Sequence, residues 1–274
     1  MFHAQINGTN LYYDRMGGGE PLLLIHGLGE RKEGWKLQQI FAEHYDVIIP
    51  DLRGFGKTKC PEGQGISINA FAKDIVGLLD YLGIKEAHIL GFSMGGIISQ
   101  ELYKIRPEKV KSCILANTVF YVPKWLEKLL LRIFKKFNTM TVEQFKSQAT
   151  SRCLYNKSDE MAQKVMPVWS DHLDGFLPAW RACLQIDYRD TLKNMNIPTL
   201  VISCQNDRIC PAFFQRRMNK LLPNSKIHTI KKAGHMGKIE KTEEFNRAVS
   251  EFLFERSGAK DIIIENQMER YHTQ

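Results

Sequence analysis

Short unbroken apolar runs alternate along this chain with longer stretches in which apolar residues recur every three or four positions. The runs are PLLLI from Pro21, YDVIIP from Tyr45, AHIL from Ala87, SCILA from Ser112 and TLVIS from Thr199, with KIHTI from Lys226 last. Runs of this length, most of them apolar at consecutive rather than alternate positions, suit strands buried on both faces. Between them, Ile68 to Gly83 and Gly95 to Arg106 carry helical spacing. Strand, helix, strand, repeated, predicts an α/β fold with a doubly wound, mostly parallel sheet. The chain opens differently: Phe2 to Ile6 and Thr9 to Arg15 alternate around Asn7-Gly8, the turn dipeptide of a tight antiparallel hairpin.

The alternation stops between Thr118 and Pro198, a connection far longer than an ordinary link between helix and strand. Helical patterns fill it at Val122 to Phe137, Thr141 to Leu154, Asp159 to Leu173 and Phe176 to Tyr188, which predicts an inserted helical lid. The expected organisation is a core at 1–118, the lid at 119–196, a second core part at 197–256 and a peripheral tail at 257–274. In VPKWLEKLLLRIFKKF the apolar residues Trp125, Leu126, Leu129, Leu130, Ile133 and Phe137 interleave with lysines and Arg132. Packing of this stripe over a catalytic cleft is the expectation, because an inserted lid needs an apolar underside. Contact with an anionic membrane surface is the alternative.

At 274 residues with 43% hydrophobic content, the chain can bury a sizeable core. Its net charge of +8 is uneven: residues 121 to 164 hold nine Lys/Arg against four Asp/Glu. Without an arginine-aromatic RNA signature or zinc-finger spacing, that excess reads as a solvated face and predicts no nucleic-acid partner. The six cysteines are scattered, with no CxxC pair and no histidine cluster, as expected of small apolar residues in a reducing compartment. The amino terminus lacks the basic start and apolar core of a secretory signal, so the expected location is cytoplasmic. Neither GxGxxG nor a GKS phosphate loop is present, and the reading includes no cofactor and no metal.

Chemistry concentrates at the ends of the apolar runs. AHILGFSMGG passes from strand to helix through Gly91-Phe92-Ser93-Met94-Gly95, a nucleophile-elbow pattern with Ser93 at its apex. The pentapeptide arises by chance in roughly one chain in ten of this length, so the flanking strand and helix carry the assignment. Serine needs a base to take its proton and a carboxylate to orient that base. His235, in the loop Lys-Lys-Ala-Gly-His after the last apolar run, is the predicted base. Asp207, directly after TLVIS, is the predicted acid, ahead of Asp187 and Asp190, which precede that strand. Two backbone amides, of Met94 at the helix start and of Leu28 in His26-Gly27-Leu28-Gly29, are expected to bind the substrate oxyanion. His26 is read as shaping that loop.

With these pieces the chain resembles the α/β-hydrolase superfamily over nearly its whole length: HGLG at 26–29, DLRGFGKT at 51–58, GFSMGG at 91–96, the Asp207 loop and Gly234-His235. GFSMGGIISQELYKIRPEKVKSCILANT is most similar to the enol-lactonase, cofactor-free haloperoxidase and carbon-carbon hydrolase branches. The acid loop departs from the common Gly-x-Asp by reading Gln205-Asn206-Asp207, and Asp51 and Arg53 match a family segment read as holding a loop. The resemblance implies a serine hydrolase acting on a small ester or lactone, and the lid aromatics Trp125, Trp169, Phe176 and Trp180 suit an apolar or aromatic substrate. Carbon-carbon bond hydrolysis, haloperoxidase chemistry and a low-turnover ligand receptor are the alternatives.

Overall fold

A single eight-stranded sheet organises the molecule in a computed structural model that describes residues 1–61, 63, 65–134 and 140–257. β1 (Phe2–Ile6) and β2 (Thr9–Met16) form the hairpin, with Ile6 opposite Thr9. Asn7 (φ 46°) and Gly8 (φ 82°) make its turn, both left-handed as the right-handed strand twist requires. β3 (Glu20–Ile25), β4 (Tyr45–Pro50), β5 (Ala87–Phe92), β6 (Val110–Ala116), β7 (Thr199–Cys204) and β8 (Ser225–Ile230) follow, so every expected run lies inside a strand. The spatial order is β1-β2-β4-β3-β5-β6-β7-β8, antiparallel at β1/β2 and β2/β4 and parallel thereafter.

Every residue of β4, β5 and β7 is buried, whereas edge strand β8 buries fully only Ile230. The two faces of the sheet split the core by the strand period of two. Leu23, Ile25, Ile89, Leu115 and Val201 point to one layer, with α1 (Ile68–Tyr81) and α2 (Met94–Ile105) packed there. Leu22, Leu24, Leu90, Ile114 and Ile202 point to the other, against Trp35 of a 3₁₀ segment (Lys32–Glu43) and Phe245 and Val249 of the last helix. Ser67 caps α1, its hydroxyl accepting from Ala70 N–H at 3.1 Å.

Between β6 and β7 stand α3 (Lys124–Phe134), α4 (Val142–Cys153), α5 (Asp159–Val165), α6 (Phe176–Leu184) and α7 (Arg189–Asn194). After β7 come α8 (Ala212–Leu221), α9 (Gly237–Glu240) and α10 (Thr242–Ser257). Two of the expected helices end early. The one over Asp159 to Leu173 stops at Val165, because Pro167 turns the chain through a 3₁₀ step and Trp169 then bridges Glu30 in extended form. The one over Phe176 to Tyr188 stops at Leu184, because Tyr188 N–H donates to Phe120 O (2.8 Å) and Asp187 pairs with Tyr121 as a strand would.

The stripe of α3 is not packed as expected. Leu126 and Leu130 are half-buried, but Trp125 is 67% and Leu129 48% exposed, so Trp125, expected among the substrate-facing lid aromatics, faces largely outward to solvent instead. Apolar residues at both i, i+4 pairs make the stripe too wide for one contact to cover, and half of it turns to solvent. Residues 135–137 of that expected helix, and the expected tail from residue 258, lie outside the described residues.

Candidate active site

Ser93 alone joins β5 to α2, at φ 53° and ψ −116°. A residue with a Cβ is strained there and stays only if its surroundings hold it. They do so from β6: Ser93 N–H donates to Ala116 O (2.9 Å), and the Thr118 hydroxyl donates to Ser93 O (2.7 Å). Strand and helix approach so closely that a methyl at Gly95 would overlap the Ile25 carbonyl, and one at Gly91 the Gly95 carbonyl. The flanking glycines of the motif therefore have a steric cause.

Loops after β7 and β8 bring the other two predicted residues to this turn. His235 Nε2 lies 3.0 Å from Ser93 Oγ, and His235 Nδ1 lies 2.8 Å from Asp207 Oδ2. The Asp207 side chain is wholly buried and that of His235 nearly so. The carboxylate also accepts from Asn117 Nδ2 (2.9 Å) and from the N–H groups of Ile209 and Cys210 (2.8 Å each). A carboxylate surrounded by donors can only accept, so the proton of the imidazole belongs on Nδ1 and Nε2 is free to accept from the serine hydroxyl. The Phe92 ring, 4.9 Å from that of His235 between centroids, packs beside it. Asp187 and Asp190 stay apart from this group, paired with Arg189 and Lys193.

Several residues here were given no role in the site by the sequence alone. Asn117, one step past β6 at φ 47°, is fully buried against Asp207. Its one visible signal was a polar residue at the same carboxyl edge that delivers the other three. Cys210 carries a buried thiol that contacts Ser93 and is pushed well above its usual pKa by burial. Glu240 holds the His235 loop, accepting from Gly234 N–H (2.7 Å) and from Tyr155 and Asn156 N–H (2.8 Å each) in the insertion.

The two predicted amides sit where donors are spare. Met94 is the first residue of α2, so its N–H has no acceptor within the helix. Leu28 follows Gly27 in a turn closed by Glu30 N–H on Gly27 O (3.2 Å), which leaves the Leu28 amide unused by the turn, and its side chain touches both core layers. His26 shapes this loop: Nδ1 meets Gly27 O at 2.8 Å, while Nε2 accepts from Leu52 N–H at 3.1 Å. Burial lowers its pKa to about 4, so the ring is neutral. Asp51 accepts from Lys32 and Lys57 N–H, and Arg53 forms a buried fork with Asp74.

Beneath the turn lies a buried ion pair, Lys238 Nζ to Glu30 Oε2 at 2.6 Å. The ammonium sits 4.1 Å from the Trp35 ring and 4.3 Å from that of Phe92. Burial pulls its pKa down while Glu30 pushes back. The pair ties the Leu28 loop to the helix that follows His235. Over that loop, Ser170 N–H donates to Gly29 O (2.8 Å) and Arg31 N–H to Val168 O (3.1 Å). An aromatic row continues from there: Trp169 to Phe145 (5.8 Å between centroids), Phe145 to Phe176 (4.6 Å) and Phe176 to Trp180 (5.9 Å). A separate open cleft of about 760 Å³ lies between α6 and the α1–α2 layer, lined by Glu101, Lys104, Arg181 and Tyr188 among others, away from Ser93.

A mostly parallel sheet that places a serine on the sharp turn into a helix, and a histidine and an aspartate on later strand ends, defines the α/β-hydrolase class. The match of a model of the alpha/beta hydrolase fold to residues 20–242 agrees, and the chain belongs to that family. It is 31% identical to a 2-hydroxy-6-oxononadienedioate/2-hydroxy-6-oxononatrienedioate hydrolase of Burkholderia vietnamiensis, over 90% of this chain and 92% of that one. Among solved structures, it is similar to a thermophilic esterase from Thermogutta terrifontis (TM-score 0.82, 25% identity, covering 90% of this chain and 94% of that one). A bromoperoxidase from Bacillus anthracis gives a TM-score of 0.80 at 26% identity, covering 89% of this chain and 95% of that one.

Proposed function

We propose that the protein is a serine hydrolase that cleaves a small carboxylic ester or lactone through an acyl-enzyme, with Ser93 as nucleophile, His235 as base and Asp207 as the orienting acid. The observation that carries this reading is the unbroken hydrogen-bonded chain from Ser93 Oγ through His235 to Asp207. Ser93 Oγ attacks the carbonyl as His235 Nε2 takes its proton. The oxyanion is met by the amides of Leu28 and Met94, and the imidazolium is stabilised by Asp207. The same proton then passes to the leaving alkoxide. Water, deprotonated by His235, attacks the acyl-enzyme and releases the acid and Ser93. The helices between β6 and β7 act as the lid, and their aromatic row suits an apolar or aromatic acyl group.

The names of relatives favour a second reading, hydrolysis of a carbon-carbon bond in a ring-fission diketone, since a hydrolase of an oxononadienedioate is 31% identical to this chain. Labelling with a fluorophosphonate probe is the first test. Wild type should label and Ser93→Ala should not; folded wild type that stays unlabelled overturns both readings. Nitrophenyl esters of increasing chain length, lactones and ring-fission diketones then separate the two, the preferred substrate being the one with the higher kcat/KM. A Ser93→Ala variant that still binds a ligand with full biological response would instead assign a receptor.

A further inference from the structure

Two exposed apolar groups with basic neighbours rise from adjacent strand ends. The first is on α3, where Trp125 (67% exposed) and Leu129 (48%) stand one helical turn apart. Lys128 and Arg132 are exposed on the same face, and the Lys124 side chain beside Trp125 is 89% exposed. The acidic residue of this helix, Glu127, turns the other way: its side chain is only 12% exposed and receives Gln185 and Lys124. The second group follows β7. Ile209 (47% exposed) and Phe213 (44%) lie among exposed Arg208, Arg216 and Arg217, and the Arg217 guanidinium sits 5.9 Å from the Phe213 ring. Strands β6 and β7 are hydrogen-bonded neighbours, and Gln215 Nε2 of α8 donates to Thr118 O at the root of the α3 segment (2.6 Å). Both groups therefore leave the same carboxyl edge of the sheet, on the side where Ser93 opens.

We propose that this rim, α3 together with the start of α8, docks on an anionic lipid bilayer. Aromatic and aliphatic side chains flanked by lysine and arginine are the composition of a helix that lies in a headgroup layer, its apolar tips inserted and its cations against lipid phosphates. A polar partner would leave Trp125 and Leu129 wet, and a second copy of the chain would set these cations against like cations. Among the described residues no helix is long and apolar enough to cross a membrane, so the contact is one of the surface. The inference needs no step of the hydrolytic reaction and stands or falls apart from it.

Co-sedimentation with vesicles of phosphatidylcholine alone, and of phosphatidylcholine with added phosphatidylglycerol, tests it. The full chain should pellet with the anionic vesicles at low salt and be released by high salt. Each of Lys124→Glu, Lys128→Glu and Arg132→Glu should weaken binding on the order of fivefold or more. The double variant Trp125→Ala, Leu129→Ala should stay in the supernatant while keeping its circular dichroism spectrum and its fluorophosphonate labelling. Wild type that never pellets, or pellets equally with neutral vesicles, overturns the proposal. So does a double variant that still pellets, or a wild-type dimer in sedimentation velocity that this variant abolishes, which would give the face to a second copy.

Discussion

Asp207 shows how much of this site is spent on holding one carboxylate. Three donors besides His235 converge on it, and of these only Asn117 is a side chain. Asn117→Ala removes one bond to a charged group, worth about 1.5–3 kcal/mol, and leaves His235 a looser partner. We expect kcat to fall about ten- to hundredfold with KM little changed, and fluorophosphonate labelling to slow in proportion; an unchanged kcat would remove Asn117 from the positioning role. A second residue makes a pH prediction. His26 is neutral in the fold, its pKa lowered from 6.5 to about 4 by burial, and burial moves His88 in the same direction. As pH falls below about 6.5 the unfolded chain takes up protons that the folded chain refuses, so this contribution is complete above that pH and is lost on the way to about 4. Urea unfolding at about pH 7.5 and about pH 5 should show the loss, and His26→Gln should flatten it even if the variant starts from a lower stability.

At the scale of elements, the tightest junction is β5 to α2. Gly95→Ala would press its methyl into the Ile25 and His26 carbonyls, which are backbone and have no side chain free to yield. A loss of about 3 kcal/mol in urea unfolding is expected, together with weaker labelling of Ser93. The buried pair beneath the turn behaves differently. Lys238→Met strands the Glu30 carboxylate in an apolar cage and should cost about 3–5 kcal/mol, whereas Lys238→Met with Glu30→Gln should recover most of it, because no buried charge is left unpaired. Legibility follows the same physics. Strands buried on both faces are continuous apolar runs, so β3 to β7 could be read directly, and Ser93 and Asp207 each follow such a run, whereas His235 follows the edge strand β8, of which only Ile230 is fully buried. Asn117 and Thr118 have no periodicity to betray them, since they lie just past a strand end. Glu30 and Lys238 are 208 residues apart and are joined only by the fold. The insertion was hardest, because helical spacing continues through Pro167 and through Ile186 although contacts with Glu30 and Phe120 draw those segments into extended form.

Across the whole molecule, the segment between β6 and β7 contributes buried residues to both core layers. Phe145, Trp169 and Phe176 belong to the layer that holds Trp35 and Phe245, and the segment ending at Ser170 is hydrogen-bonded to the loop carrying the Leu28 amide. An acyl group whose oxyanion sits at Leu28 and Met94 would therefore extend toward this aromatic row. Phe176 is one of its two inner rings, 4% exposed and in ring contact with both Phe145 and Trp180. Phe176→Ala should open a space of phenyl size there at a stability cost of about 3–5 kcal/mol. Because the Ser93 group hangs on β5 to β8 and not on α6, labelling by a small fluorophosphonate should survive in the folded fraction. Across a nitrophenyl ester series, kcat/KM should then shift toward longer acyl chains, with short esters losing binding as the pocket walls recede. The opposite shift, or none, would place the acyl pocket elsewhere and direct attention to the open cleft beside Glu101 and Arg181.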